Sequence, residues 1–478
     1  MTKRPPIVVI MGSVDHGKTT LLDYIRKANV AAKEAGGITQ SVGAYEIVHP
    51  STSSGQAGQK ITFIDTPGHE AFSKMKTRGA NIADIAILVV ATDDSVQPQT
   101  KEAIKIIQES KTPMIVAINK IDKVAETEKV KNDLMQAGVM LEGYGGNITN
   151  QAISAKTGEG VNELLDLILL TADMETLEYD PAAPAGGFVL ESKLDRRRGI
   201  VTTVILKNGT LNQGDEINVG THLGKVKILE NFLGENVKSL TPSAPAIIMG
   251  FETLPSVGAE FYVGKSTASQ EKVRLENKPA ILTQEKEGTV RLVLKADVSG
   301  SLEALSEIIK HLPIKPKQKL EIVSEGVGDI TDGDIKHAMS TRAIVIGFRT
   351  RMIPAAATLA RAHGIKVVES EIIYDLIKTI QETLAALDKK APKGKLEILA
   401  VFSKKGTKQV IGGKVTEGQI LNNAILEAER GGVVVGSGKI VNLQQAKRDV
   451  KTVEAGLECG LIFDCDKEIK VGDVLMGY

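Results

Sequence analysis

Gly12, followed after four residues by Gly17-Lys18-Thr19, is a spacing suited to holding phosphate. Glycines let the backbone curl until successive N–H groups face one anion. Lys18 adds a cation for the β- and γ-phosphates, and the Thr19 hydroxyl can ligate Mg²⁺. The residues expected around the phosphates are Gly12, Val14, Asp15, His16, Gly17, Lys18, Thr19 and Thr20. An apolar run, Ile7 to Met11, precedes this loop, and a helix-like segment begins near Lys18. The loop therefore sits where a strand hands over to a helix N-terminus, which itself attracts anions. The ligand this chemistry fits is a nucleoside triphosphate.

Asn119-Lys120-Ile121-Asp122, after the apolar run Met114 to Ile118, selects the base. The Asp122 carboxylate can accept from the N1–H and the exocyclic amine of guanine together, which adenine cannot supply. A base lacking these donors would leave the buried charge unpaired, so discrimination should be large. Ser154-Ala155-Lys156 follows Gln151-Ala152-Ile153 and is expected to close over the guanine O6. Alone, an Asn-Lys-x-Asp tetrapeptide could be a surface turn; downstream of a phosphate loop it reads as a guanine site.

Between these elements lies a hydrolytic set. The run Ile61 to Ile64 ends at Asp65-Thr66-Pro67-Gly68-His69. Asp65 is placed to hold Mg²⁺ through water, and the Gly68 N–H can bond the γ-phosphate. His69 then stands where a residue could orient the attacking water. A lone histidine is more often a packed structural residue, but its position directly after Asp-x-x-Gly favours the catalytic role. Gly36-Gly37-Ile38-Thr39 reads as a second switch, with Thr39 binding Mg²⁺ while the γ-phosphate is present.

Such groups need a scaffold, and the apolar runs supply one. Residues 7 to about 172 alternate strands and helices, as in a doubly wound α/β domain. Residues 1–178 are read as a P-loop GTPase domain, and the Pro/Ala/Gly stretch from Asp180 to Gly187 as a linker. Short β-rich runs broken by turn signals such as Asn208-Gly209 place a β-barrel at 183–268. A charged helical linker is expected at 269–288. A second α/β domain follows at 289–370, its strands read at Val290 to Lys295, Leu320 to Ser324, Ala343 to Ile346 and Lys366 to Val368. It carries no phosphate loop, which suits a spacer or docking module better than a second enzyme. A connecting helix is expected over 371–390, with an apolar stripe of Ile373, Ile377, Ile380, Leu384 and Leu387. A C-terminal β-barrel at 393–478 completes a multidomain α/β plus β chain.

Composition narrows the partners. Lys plus Arg equals Asp plus Glu at 59 each, so no net basic field advertises nucleic acid. Aromatics make up only 3 % and Trp is absent, which argues against RNA binding by extensive base stacking. RNA contact would have to be local. Cys459 and Cys465 are the only cysteines, too few for a four-cysteine zinc site. With no secretory signal and no apolar run long enough to span a bilayer, the expectation is a cytoplasmic protein with reduced thiols and no membrane partner. A monomer is the default.

The stretches Asp15 to Thr19, Gly36 to Gln40, Asp65 to His69 and Asn119 to Asp122 resemble the translational GTPases. Val96-Gln97-Pro98-Gln99-Thr100, Leu294 to Val298 and Glu458-Cys459-Gly460 extend the resemblance, over essentially the whole chain, to the family of bacterial translation initiation factor two. That resemblance implies a factor that brings formylmethionyl initiator tRNA to the small ribosomal subunit, promotes joining of the large subunit and is released by GTP hydrolysis to GDP on the ribosome. It implies ribosomal RNA as a partner, and a final barrel that holds the aminoacyl end of the tRNA through Glu458, Cys459 and Gly460. It also implies that Val14 and Ile38 gate His69, unless they are plain packing residues.

The chain departs from the family pattern in places. Ser13 replaces a histidine commonly found in the phosphate loop, Gly413 a second cysteine, and Gln444-Gln445-Ala446 a basic-basic-aromatic run, although Lys447 is kept. The chain also opens almost directly on its first strand, without the long N-terminal extensions of many family members, so one source of small-subunit affinity is expected to be missing. Two other readings follow: a joining factor with little or no selection for the formylmethionyl group, and an elongation-type GTPase carrying another aminoacyl-tRNA. The second α/β domain and the connecting helix argue against the latter.

Overall fold

All five residues of the strand Ile7–Met11 are buried, because parallel neighbours and helices cover both faces of the sheet. In the computed structural model, which describes residues 1–27, 39–50, 58–264, 289–313, 319–387, 393–431 and 433–477, this strand is central in a six-stranded sheet. The order is Gly43–His49, Gln59–Asp65, Ile7–Met11, Ile85–Ala91, Met114–Asn119, Asn150–Ala152. Only the first pair is antiparallel. Alternate side chains of the central strand serve opposite faces. Ile7, Val9 and Met11 pack with Ile104, Ile107 and Leu134 on one side, and Val8 and Ile10 pack with Leu21, Leu164 and Ile168 on the other. The loops after Met11, Asp65, Asn119 and Ala152 leave the carboxyl ends of parallel strands, the edge at which such sheets bind ligands.

The chain divides into two compact units, Met1–Thr379 and Ile380–Tyr478. In the first, a closed barrel follows the GTPase sheet, its six antiparallel strands running from Gly186–Asp195 to Glu260–Val263. Its interior holds Val189, Val204, Ile217, Leu229 and Phe261. The barrel is fastened to the sheet by Asp84, whose carboxylate accepts from Arg4 at 2.6 and 2.7 Å and from Lys207 at 2.7 Å. Burial opposes this charge, but the two cations outweigh it and hold the carboxyl below its usual range.

The second α/β domain is a four-stranded parallel sheet, Lys319–Val327, Thr289–Ala296, Ile344–Phe348, Val367–Ser370. Its helix Ser299–His311 meets both neighbours. Gly300 N–H donates to Glu191 of the barrel at 3.0 Å, and Glu303 pairs with Arg78 at 2.5 and 3.0 Å. Burial is the main force pushing the Glu191 carboxyl up to about 7. The helical linker expected at 269–288, and Gly36 to Ile38 of the second switch, lie outside the described residues.

The connecting helix expected over 371–390 is described over Ile373–Leu387, and residues 388–390 lie outside the described residues. Ile373, Ile380 and Leu384 are buried as expected, but the fourth core position is Leu376 and not Ile377, which is half-buried. Three-residue and four-residue steps from Ile373 both fit a helical stripe, and the helix is rotated toward the former.

The second unit is a ring of antiparallel strands in the order Gly394–Lys405, Val474–Gly477, Ile425–Arg430, Val433–Gln445, Glu458–Cys465, Lys408–Leu421. Pairing of the sixth strand with the first closes it. Leu396, Ile411, Ile440, Leu461, Phe463 and Leu475 fill the interior. Among the described residues, no helix is long and apolar enough to cross a membrane.

Candidate functional site

Gly17 has φ 87° and caps the helix Lys18–Arg26, a conformation costly for any residue with a Cβ. That turn lets the loop from Gly12 curl over the helix N-terminus. Lys18 is buried, and its ammonium donates to the Ser13 carbonyl at 2.6 Å. Burial chiefly lowers its pKa, to about 8; Asp65 and Asp15 pull it back up, and Lys76 lowers it further. Gly68 closes on this loop from the other side: a Cβ there would lie 2.6 Å from Lys18 Nζ and 3.1 Å from the Val14 nitrogen.

Three oxygen-bearing residues meet beside Lys18. Thr19 Oγ1 lies 2.9 Å from Thr39 Oγ1, which lies 3.4 Å from Asp65 Oδ2. Two hydroxyls and a carboxylate are hard donors that fit Mg²⁺.

The base-reading loops are cross-braced. Asn119 is buried; its Nδ2 donates to the His16 carbonyl at 2.8 Å and its Oδ1 accepts from Ala155 N–H at 2.9 Å. Ser154 Oγ donates to Asp122 Oδ1 at 2.7 Å. Lys120 takes a left-handed φ of 68° and pairs with Asp93 at 3.0 Å.

These loops enclose a cavity of about 300 Å³. Of the residues singled out from sequence, Val14, Asp15, Gly17, Lys18, Thr19, Thr20, Thr39, Gly68, His69, Asn119, Lys120, Asp122, Ala155 and Lys156 line it. Gly12, His16, Asp65 and Ser154 stand behind the lining. The His16 ring is fully buried, with Nδ1 3.3 Å from the Val89 carbonyl and Nε2 3.4 Å from Asp94. Its side chain is thus a packing element, and its part in the loop falls to its backbone. Phe72 and Lys123 also line the cavity and were missed in the sequence, where neither stands inside a motif.

His69 sits at the rim. Its Nδ1 accepts from Ala71 N–H at 2.8 Å, capping the short 3-10 turn Glu70–Phe72. Burial chiefly lowers its pKa, with Lys76 adding to the effect and Glu70 opposing it, so the ring is neutral near pH 7. Lys76 is itself buried and held by Glu102 at 2.5 Å. Gln99 Oε1 accepts from both Ser13 Oγ and Val14 N–H at 2.9 Å. The serine at position 13 therefore braces the loop from outside. The signal for Gln99 was present in the Val96 to Thr100 stretch, but its partner was not.

In the second unit Glu458, Cys459 and Gly460 open the strand Glu458–Cys465. Cys459 is buried in the ring's interior, and burial pushes its thiol up to about 11; Glu458 is exposed, and a Cβ at Gly460 would meet open space. The departures from the family pattern lie beside them: Gly413 is in register with Cys459 and Gln444 with Gly460. Gln444 Nε2 donates to Asp449 at 2.7 Å. Phe402 is 70 % exposed, and its ring would lie 3.0 Å from a Cβ at Gly412, the register partner of Gly460. This aromatic group beside the segment went unnoticed in the sequence.

Residues 3–173 match the model of the elongation factor Tu GTP binding domain, 184–264 that of elongation factor G domain 2, and 264–381 that of translation-initiation factor 2. The chain is 40 % identical to translation initiation factor IF-2 of Rubrobacter xylanophilus, over 100 % of its own length and 72 % of that protein. It is 42 % identical to the Aquifex aeolicus factor, over 99 % of its length and 61 % of that protein. The corresponding figures for Carboxydothermus hydrogenoformans are 41 %, 99 % and 59 %. The chain thus spans between 59 % and 72 % of the length of these relatives. With such identity along all of its residues, and a phosphate loop joined to a guanine-type loop in one cavity, the chain belongs to the translation initiation factor IF-2 family of GTPases.

Proposed function

We propose that this translation-initiation GTPase binds GTP in the cavity between Gly12–Thr19 and Asn119–Asp122 and hydrolyses it to GDP and phosphate on the ribosome. The observation that carries the reading is the convergence on one cavity of Lys18, the Thr19–Thr39–Asp65 oxygen set, His69 and the Asp122 carboxylate held by Ser154. Asp122, oriented by Ser154, accepts from the guanine edge. Lys18 leaves the Ser13 carbonyl for the phosphates. Thr19, Thr39 and Asp65, the last through water, would hold Mg²⁺, which when bound offsets charge on the β- and γ-phosphate oxygens. Gly68 brings its backbone N–H to the same region, Val14 lines it with its N–H held by Gln99, and His69 orients the attacking water.

The second unit is read as the holder of the aminoacyl end of initiator tRNA, through Glu458, Gly460 and the backbone at Cys459, while the ribosomal subunits and their RNA are the larger partners. Support comes from the exposed Phe402 beside Gly412 and Gly460, an apolar surface suited to a methionyl side chain. A second reading, a subunit-joining factor with weak selection for the formyl group, is favoured by Gln444. Its carboxamide is engaged by Asp449 where the family pattern has a cation. Binding of formylmethionyl-tRNA and unformylated methionyl-tRNA to the full chain separates the two. Preference for the formylated species supports the first reading, and equal affinity supports the second.

A further inference from the structure

His69 is held from three directions. Ala71 N–H occupies Nδ1 at 2.8 Å, the Phe72 ring meets it edge-on at 6.2 Å between centroids, and the Tyr374 ring packs against it at 4.3 Å and 67°. Tyr374 comes from the first turn of the connecting helix, about three hundred residues away in sequence. With Nδ1 accepting from a backbone amide, the only ring proton of the neutral imidazole is on Nε2. Neither nitrogen then has a lone pair with which to accept from a water molecule. In this orientation neither ring nitrogen can take a proton from an attacking water.

Tyr374 is itself seated by groups that adjoin the phosphate site. Its hydroxyl lies beside Gln99, the side chain that holds Ser13 Oγ and Val14 N–H. Gln40, next to Thr39, donates to the Glu371 carbonyl at 3.0 Å and accepts from Ile373 N–H at 3.1 Å. The turn carrying Tyr374 thus touches the phosphate loop's brace, the residue beside a Mg²⁺ candidate, and the hydrolytic histidine.

We propose that Tyr374 is a positioning residue for hydrolysis: its ring keeps His69 in the capped orientation, and withdrawal of the ring is a step in activation. The proposal rests on the reading of His69 as the water-orienting group. It gives the connecting helix a direct say in turnover, through one aromatic contact.

The test is single-turnover hydrolysis of Mg²⁺-GTP by the full chain without ribosomes. Tyr374 is 45 % exposed, so its loss is compatible with folding. Tyr374→Ala and Tyr374→Leu should each raise the rate constant roughly two- to ten-fold, the range an aromatic contact of this kind supports, with GTP affinity unchanged. Tyr374→Phe keeps the ring and should stay close to the wild-type rate. Adding His69→Ala should abolish the gain. Equal rates in wild type and both ring-deleted variants, or a gain that survives His69→Ala, would overturn the proposal. His69→Ala alone, assayed with ribosomes, separates the two levels. If that variant keeps full activity, the assignment of His69 fails. If it is impaired while the ring deletions are silent, only the role of Tyr374 fails.

Discussion

Ser154 Oγ donates to Asp122 Oδ1 at 2.7 Å, so the loop after the last sheet strand aims the carboxylate proposed to read the base. Asp122→Ala removes both acceptors for guanine and strands the serine hydroxyl. GTP affinity should fall roughly a hundred-fold, about 3 kcal/mol, the value of hydrogen bonds to a charged group. Titration calorimetry with GTP and ATP measures it. Unchanged GTP affinity would place base recognition elsewhere.

Lys18 gives the site a pH dependence with a defined sign. Its pKa is lowered to about 8, by burial first, so above that value the neutral amine predominates in the free protein. Phosphate binding favours the ammonium and must then draw a proton from solvent. GTP affinity should be flat below pH 8 and fall with rising pH above it, by up to about ten-fold per unit. Calorimetry in buffers of different ionisation enthalpy should register proton uptake above pH 8. Lys18→Met should bind weakly and lose that uptake.

Gln99 supports two loop groups with one oxygen. Gln99→Leu leaves Ser13 Oγ and Val14 N–H without that acceptor in a buried setting, at about 1–3 kcal/mol for a buried polar group left unpaired. Thermal unfolding should show the loss, and GTP affinity should fall with it. Ser13→Ala, which removes only one donor, should bind GTP nearly as the wild type does. A stronger effect of Ser13→Ala than of Gln99→Leu would show that Gln99 is not the loop's brace.

Asp84 ties the barrel to the GTPase sheet through Arg4 and Lys207. Asp84→Asn leaves both cations poorly matched and should destabilise the first unit by about 3 kcal/mol. The Asp84 carboxyl is held below its ordinary value, so its contribution is present above the unfolded carboxylate pKa. It is lost as pH falls through the lower, folded value. Chemical unfolding at pH 7 and under acid conditions should show the wild-type advantage shrinking with acidification.

The phosphate and guanine loops could be read from sequence because each is a contiguous run whose spacing follows from its chemistry, and the strands before them are uniformly apolar. Tyr374 and Gln40 could not. Their roles arise because the connecting helix begins against the GTPase domain, and no local pattern records that. Leu376 displaced Ile377 from the expected stripe because both spacings satisfy helical periodicity. His16 lies within the phosphate-loop motif, yet its ring went to Val89 and Asp94 as packing. Gly413 and Gln444 were visible as departures, but strand register was needed to place them beside Cys459 and Gly460.

If the ribosome switches on hydrolysis in this cavity through His69, loss of that side chain must cost the stimulated rate and spare nucleotide binding. Single-turnover GTP hydrolysis by wild type and His69→Ala, each with and without ribosomal subunits, tests it most directly, with GTP binding measured alongside. Expected are slow wild-type turnover alone, strong acceleration by ribosomes, and loss of that acceleration in His69→Ala with GTP binding retained. Equal rates with and without ribosomes, or full acceleration in the variant, would contradict it.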